Sequence, residues 1–137
     1  MGPVLDSLYA GLPYMVLHVA VAVGILVAGV MVYIWVTPFR EIHLIREGNM
    51  AAAISFMGGV LGLAIPLAFC LAGSATAFDI AVWGAVVVIM QLISYRIVDL
   101  LIRDIGQRIE NGEVPAAIAL VTGKLAVAAI ISAAVVS

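Results

Sequence analysis

Four long apolar runs, with two bends between them that carry most of the charge, constrain this chain more than any other feature. From Leu12 to Val36 no Asp, Glu, Lys or Arg interrupts the sequence, and a comparable run extends from Met50 to Ala72. Two further runs, about Phe78 to Ile102 and Val114 to Val136, hold charges mainly near their ends. Each approaches or exceeds the roughly 20 residues that carry an α-helix across a bilayer. Composition agrees: 66% of the residues are hydrophobic and 10% charged, against roughly a quarter charged in an ordinary soluble domain. The expected fold is an all-α integral membrane domain of four transmembrane helices, spans 12–36, 50–72, 78–102 and 114–136, with hinges at 37–49 and 103–113.

The first hinge, TPFREIHLIREGN, reads as a short surface helix. Thr37 is the expected N-cap and Pro38 the first helical residue, where a missing N–H costs nothing. Phe39, Ile42 and Ile45 fall on one side, and Gly48 is placed to stop the helix. Residues 1–11 contain Asp6 and no Lys or Arg, so a basic signal-peptide leader is not expected. Tyr9, Tyr14, Tyr33 and Trp35 bracket the first span as interfacial rings. Small residues recur where helices can approach closely: Gly24 between Ala20 and Ala28, the pair Gly58 and Gly62, and Gly123.

Arg40, Arg46, Arg96, Arg103 and Arg108 all flank the hinges, whereas both termini and the 73–77 connection have no basic residue. The positive-inside rule therefore expects cytoplasmic hinges and periplasmic termini. A shift of 64 places lays Ile45 over Ile109, Gly48 over Gly112, Ala52-Ala53-Ile54 over Ala116-Ala117-Ile118 and Gly59 over Gly123. That pattern suggests two helical hairpins inserted in the same sense, parallel repeats rather than inverted ones.

Among the polar residues Lys124 is the most costly. It lies about ten residues into the last span, near the bilayer centre, where a charged lysine costs roughly 2.5–3.5 kcal/mol on insertion scales. Gln91 is expected at similar depth, and counting along the spans places no Asp or Glu there. Lys124 is then neutral, solvated in a cavity, bonded to groups such as Gln91, Thr122 or Ser55, or satisfied by another subunit. The polar site reads as anion-attracting or proton-handling, or else as a tolerated lysine with a water defect or shifted span. Arg96, Asp99 and Arg103 form an expected ladder on one helical face at the boundary. Arg40, Glu41, Arg46, Glu47 and Asn49 read as solvated hinge residues or as a cytoplasmic docking or gating surface. His18 reads as an interfacial histidine and Cys70 as a small core residue. With no nucleophile beside a base, no phosphate loop and no metal spacing, neither catalysis nor a cofactor is expected. The net charge of −2 and absence of a basic patch leave no nucleic-acid partner.

Residues 37–67, TPFREIHLIREGNMAAAISFMGGVLGLAIPL, with WGAVVVIMQ at 83–91, resemble the YjfL-like family of small bacterial inner-membrane proteins of unknown function. The resemblance rests on Thr37, Pro38 and Glu41; Leu44, Ile45, Arg46, Gly48, Asn49 and Ala51–Ala53; Leu61, Gly62, Pro66 and Leu67; and Trp83, Gly84 and Gln91. The chain departs at its end, where Ser132 stands near a family asparagine. The resemblance implies four spans, an inner-membrane location and no established activity, with family members found beside envelope-stress genes of the phage-shock type. Two functions are then expected of such a chain. One is a homo-oligomeric structural component whose hinges dock a cytoplasmic envelope-stress protein. The other is a small channel or transporter with Gln91 and Lys124 at its midplane.

Overall fold

The computed structural model describes residues 2–37 and 39–137; the expectation for Pro38 lies outside the described residues. Helix α1 covers Gly2–Val36, α2 Glu41–Arg46, α3 Met50–Gly73, α4 Ala77–Leu101, α5 Ile105–Glu110 and α6 Val114–Val136. The four long helices are each apolar and long enough to cross a membrane. Such a segment folds as helix because hydrocarbon offers its backbone no other hydrogen-bond partner. At 35 residues, α1 extends about 52 Å. It begins ten residues before Leu12, and Pro3 fits within its first turn.

Local signals set the helix ends. The Asn49 side chain accepts a bond from Ala52 N at 3.0 Å and starts α3, and Thr76 accepts from Asp79 N at 3.1 Å to start α4. Gly48 and Gly112 follow α2 and α5 with φ of +85° and +77°, a left-handed conformation that glycine adopts without a Cβ penalty. Asp104 precedes α5 at φ 56°, tolerable for a short polar residue. Thr37 does not cap α2. Its hydroxyl donates back to Tyr33 O at 2.6 Å, so it finishes α1, and α2 starts after Arg40 without a side-chain cap.

Helix α3 runs through the middle of the bundle and packs most extensively on α6. Its glycines permit the approach. A Cβ on Gly58 would strike Val121 of α6, one on Gly59 would strike the Tyr33 ring of α1, and one on Gly62 would strike the Tyr95 hydroxyl of α4. A Cβ on Gly123 would come within 3.1 Å of Val98. Gly24 departs from this pattern: nothing stands within 4 Å of its Cβ position. The inward face of α1 is Ile25, Gly29 and Tyr33, which turns Ala20, Gly24 and Ala28 outward. Close approach occurs instead at Gly29, whose Cβ position lies 2.9 Å from Val88. Tyr33 faces the core rather than an interfacial belt, whereas Trp35 remains exposed.

At the hinge end, Phe39 and Leu44 from the first hinge join Ile105 and Ile109 from the second around Ala52, Ala117 and Leu120. Asn49 ties the hinges together, its Nδ2 donating to Ile109 O at 2.8 Å. The buried side of α2 carries Glu41 and Leu44, while Ile42 and Ile45 are half-buried.

Candidate functional site

Five ionisable or phenolic side chains meet inside the hinge-side half of the bundle. Lys124, with no exposed side-chain surface, places Nζ 3.4 Å from Asp99 Oδ1. The same ammonium lies 5.0 Å from the Tyr33 ring centroid and 4.8 Å from that of Tyr95, within cation–π range of both. The rings meet edge to face at 5.5 Å. Tyr95 Oη donates to Gly59 O at 2.7 Å, and Tyr33 Oη donates to Glu41 Oε1 at 2.6 Å. Ser55 Oγ donates to that same oxygen at 3.3 Å.

Asp99 corrects two sequence expectations at once. It is a buried acid at the level of the Lys124 ammonium, and it does not stand in a surface ladder with Arg96 and Arg103, which are exposed. The reason is directional, because side chains tilt toward the N-terminus of their own helix. Helix α4 runs toward the hinges and α6 away from them, so Asp99 leans inward and Lys124 leans back toward the hinge, and the long lysine stem closes the gap.

Gln91 and Lys124 are brought together, but not through the ammonium. Gln91 Nε2 donates to Gly62 O at 2.9 Å and to the backbone oxygen of Lys124 at 3.4 Å. Thr122 is exposed and bonds Ile118 O, and Ser55 serves Glu41, so neither holds Lys124.

Glu41 is likewise not a surface residue: it is 2% exposed and enters the bundle beneath α2. Burial pushes its carboxyl up to about 7, against the opposing influence of the Tyr33 bond, the Lys124 charge and the Ser55 bond. Among the described residues Glu41 Oε2, Gln91 Oε1, Asp99 Oδ1 and Lys124 Nζ have no hydrogen-bond partner, so the Lys124–Asp99 contact is an ion pair without hydrogen-bond geometry. Lys124 is thus paired with Asp99 of α4, and the charge of Glu41 from the first hinge acts on it at longer range.

Of the other hinge residues, Asn49 is occupied as cap and clamp, and His43 Nε2 lies 2.9 Å from Glu47 Oε1. Arg40 and Arg46 are exposed. Two grooves border the cluster on its hinge side. One, about 370 Å³, is lined by Asp99 with Arg96, Arg103 and Asp104. The other, about 500 Å³, is lined by Glu41 with Trp35, Arg40 and Arg46. Beyond Lys124, away from the hinges, the buried side chains include the apolar Leu67, Val88, Ala128 and Ile131, with Ser132 donating to Ala128 O.

Tyr33 and Tyr95 escaped the sequence reading because interfacial tyrosines look the same in a linear count. Their signal lies in the glycines opposite, Gly59 and Gly62, which leave room for a ring on α3.

Residues 7–135 match the family described as a domain of unknown function, DUF350. The chain is 31% identical over 123 residues to the UPF0719 inner membrane protein YjfL of Escherichia coli K12, covering 90% of each chain, and matches its counterpart in Escherichia coli O157:H7 to the same extent. No solved structure matches.

Proposed function

From the premise that this chain belongs to the DUF350 family and is a multi-pass inner-membrane protein, we propose that it serves as a structural and interaction component of the cell envelope. Its two hinges face the cytoplasm, following their arginines, and form one docking face for an envelope-stress partner. No catalytic step is assigned to it. The observation that carries the reading is the anchoring of the hinges. Glu41 is held by Tyr33 and Ser55 inside the bundle, and Asn49 joins the first hinge to the second through Ile109 O. Arg40, Arg46 and Glu47 are consequently displayed on a face whose position the transmembrane helices set.

Assembly as a homo-oligomer is part of the proposal. The outward Ala20, Gly24 and Ala28 face of α1 offers small residues for a second copy to approach. Duplication of a hairpin accounts for the paired form, since each six-residue hinge helix is followed by a glycine of positive φ, the two glycines 64 positions apart.

A second reading, a small channel or transporter, is favoured by the buried Lys124–Asp99 pair beside Gln91, because ionisable groups inside a membrane mark ion pathways. The apolar residues beyond Lys124 count against a continuous path within one chain. Liposome flux and partner capture separate the two. The docking reading expects no ion flux from wild type or Lys124→Met, and loss of a cytoplasmic partner from native membranes with Arg46→Ala. Flux that wild type supports and Lys124→Met abolishes would overturn it.

A further inference from the structure

The groove at the first hinge has the chemistry of a lipid site. It holds about 500 Å³ and combines the apolar Ile34 and Trp35 at the end of α1 with the basic Arg40 and Arg46 around α2. Among the described residues neither guanidinium has a carboxylate partner. Of the nearby acids, Glu47 lies outside the groove lining beside His43, and Glu41, which lines the groove and keeps Oε2 unpartnered, is 2% exposed and turned toward Tyr33 and Ser55. Uncompensated charge on the groove is therefore positive, while one wall is hydrocarbon-like, with Trp35 84% exposed where α1 leaves the apolar layer.

We infer that this groove binds an anionic phospholipid, its phosphate held by Arg40 and Arg46 and an acyl chain lying along Ile34 and Trp35. The inference rests on the reading that the hinges lie at headgroup level, and it names the partner of the first hinge. A zwitterionic lipid fits less well because its ammonium would sit between two exposed guanidiniums, while the one carboxyl lining the groove, Glu41, is buried. A soluble protein fits less well because the Ile34 and Trp35 wall belongs to the bilayer side of the hinge. Two arginines close to a headgroup give a preference of up to roughly thirtyfold for an anionic lipid.

The test uses the full chain carrying Trp83→Phe, so that Trp35 is its sole tryptophan, in liposomes of phosphatidylcholine with a minor fraction of brominated phosphatidylglycerol or brominated phosphatidylcholine. Both leaflets have the same composition, so the readout depends on neither insertion direction nor a cytoplasmic partner. Quenching of Trp35 should show brominated phosphatidylglycerol enriched at the groove by roughly fivefold or more. The exposed pair Arg40→Gln and Arg46→Gln should bring both lipids to equal quenching, with helix content and melting unchanged. Equal quenching in the parent protein, or a phosphatidylglycerol preference that survives loss of both arginines, would overturn the lipid site. Either result would leave the docking reading to be judged by its own capture experiment.

Discussion

Replacing Lys124 by Met keeps the stem and removes the charge, leaving Asp99 buried without its cation. The pair is separated by 3.4 Å, and at an effective dielectric of about 20 its attraction is about 5 kcal/mol. Desolvation of both ions offsets much of that in the intact protein. Breaking one side recovers only the removed ion's share of that offset and strands the other charge, so the penalty for a single variant is about 3–5 kcal/mol. Loss of the ammonium also removes its contacts with the Tyr33 and Tyr95 rings. Asp99→Asn should cost a similar amount for the complementary reason, a lysine buried opposite a neutral amide. The double variant Lys124→Met with Asp99→Asn discards both charges and should return to within about 2 kcal/mol of wild type. Unfolding of the purified chain in mixed micelles, followed by circular dichroism, reads all four proteins. Penalties that simply add in the double variant would refute the claim that these residues form one electrostatic unit.

Glu41 gives a pH signature. Its carboxyl stands at about 7 in the fold against an ordinary 4.5, so the folded state holds the proton more tightly. The stabilisation is complete below the ordinary value, declines as pH rises and is gone above about 7, a span worth about 3 kcal/mol. Glu41→Gln should flatten the melting temperature between pH 4.5 and about pH 7, the window those two values define. Gly62→Ala, which drives a methyl into the Tyr95 hydroxyl, should destabilise the chain by roughly 1–3 kcal/mol. Gly24→Ala, facing open space, should leave the melting temperature unchanged and weaken chemical crosslinking between copies. Asn49→Ala removes a cap and the link to Ile109 O; it should cost about 1–2 kcal/mol and speed amide exchange in residues 105–113.

The membrane class and number of spans were readable because apolar runs of bilayer length admit few alternatives. Gly48, Gly58 and Gly62 were readable for a related reason, since a glycine beside a helix end or at four-residue spacing has few common uses. The charged cluster was only half readable. Lys124 drew attention by depth, but its partner did not, because counting residues along a span ignores the opposite tilts of Asp99 and Lys124 on antiparallel helices. Glu41 sits in a run of hinge charges that looks uniformly solvated, and only the convergence of Tyr33 and Ser55 from other helices reveals it as buried. Gly24 misled for a third reason: a small-residue stripe identifies a face that can pack, whereas Ile25, Gly29 and Tyr33 determine which face turns inward.

Accessibility of the hinges bears most directly on the account. With Cys70→Ala as background, single cysteines at Glu47 and Glu110, both exposed on the hinges, and at Tyr9 and Ser137 near the chain ends can be challenged with a membrane-impermeant maleimide in inverted and right-side-out vesicles. The account predicts that both hinge positions react in inverted vesicles and both end positions in right-side-out vesicles. Hinge cysteines that react from opposite sides, or only from the periplasmic side, would contradict it.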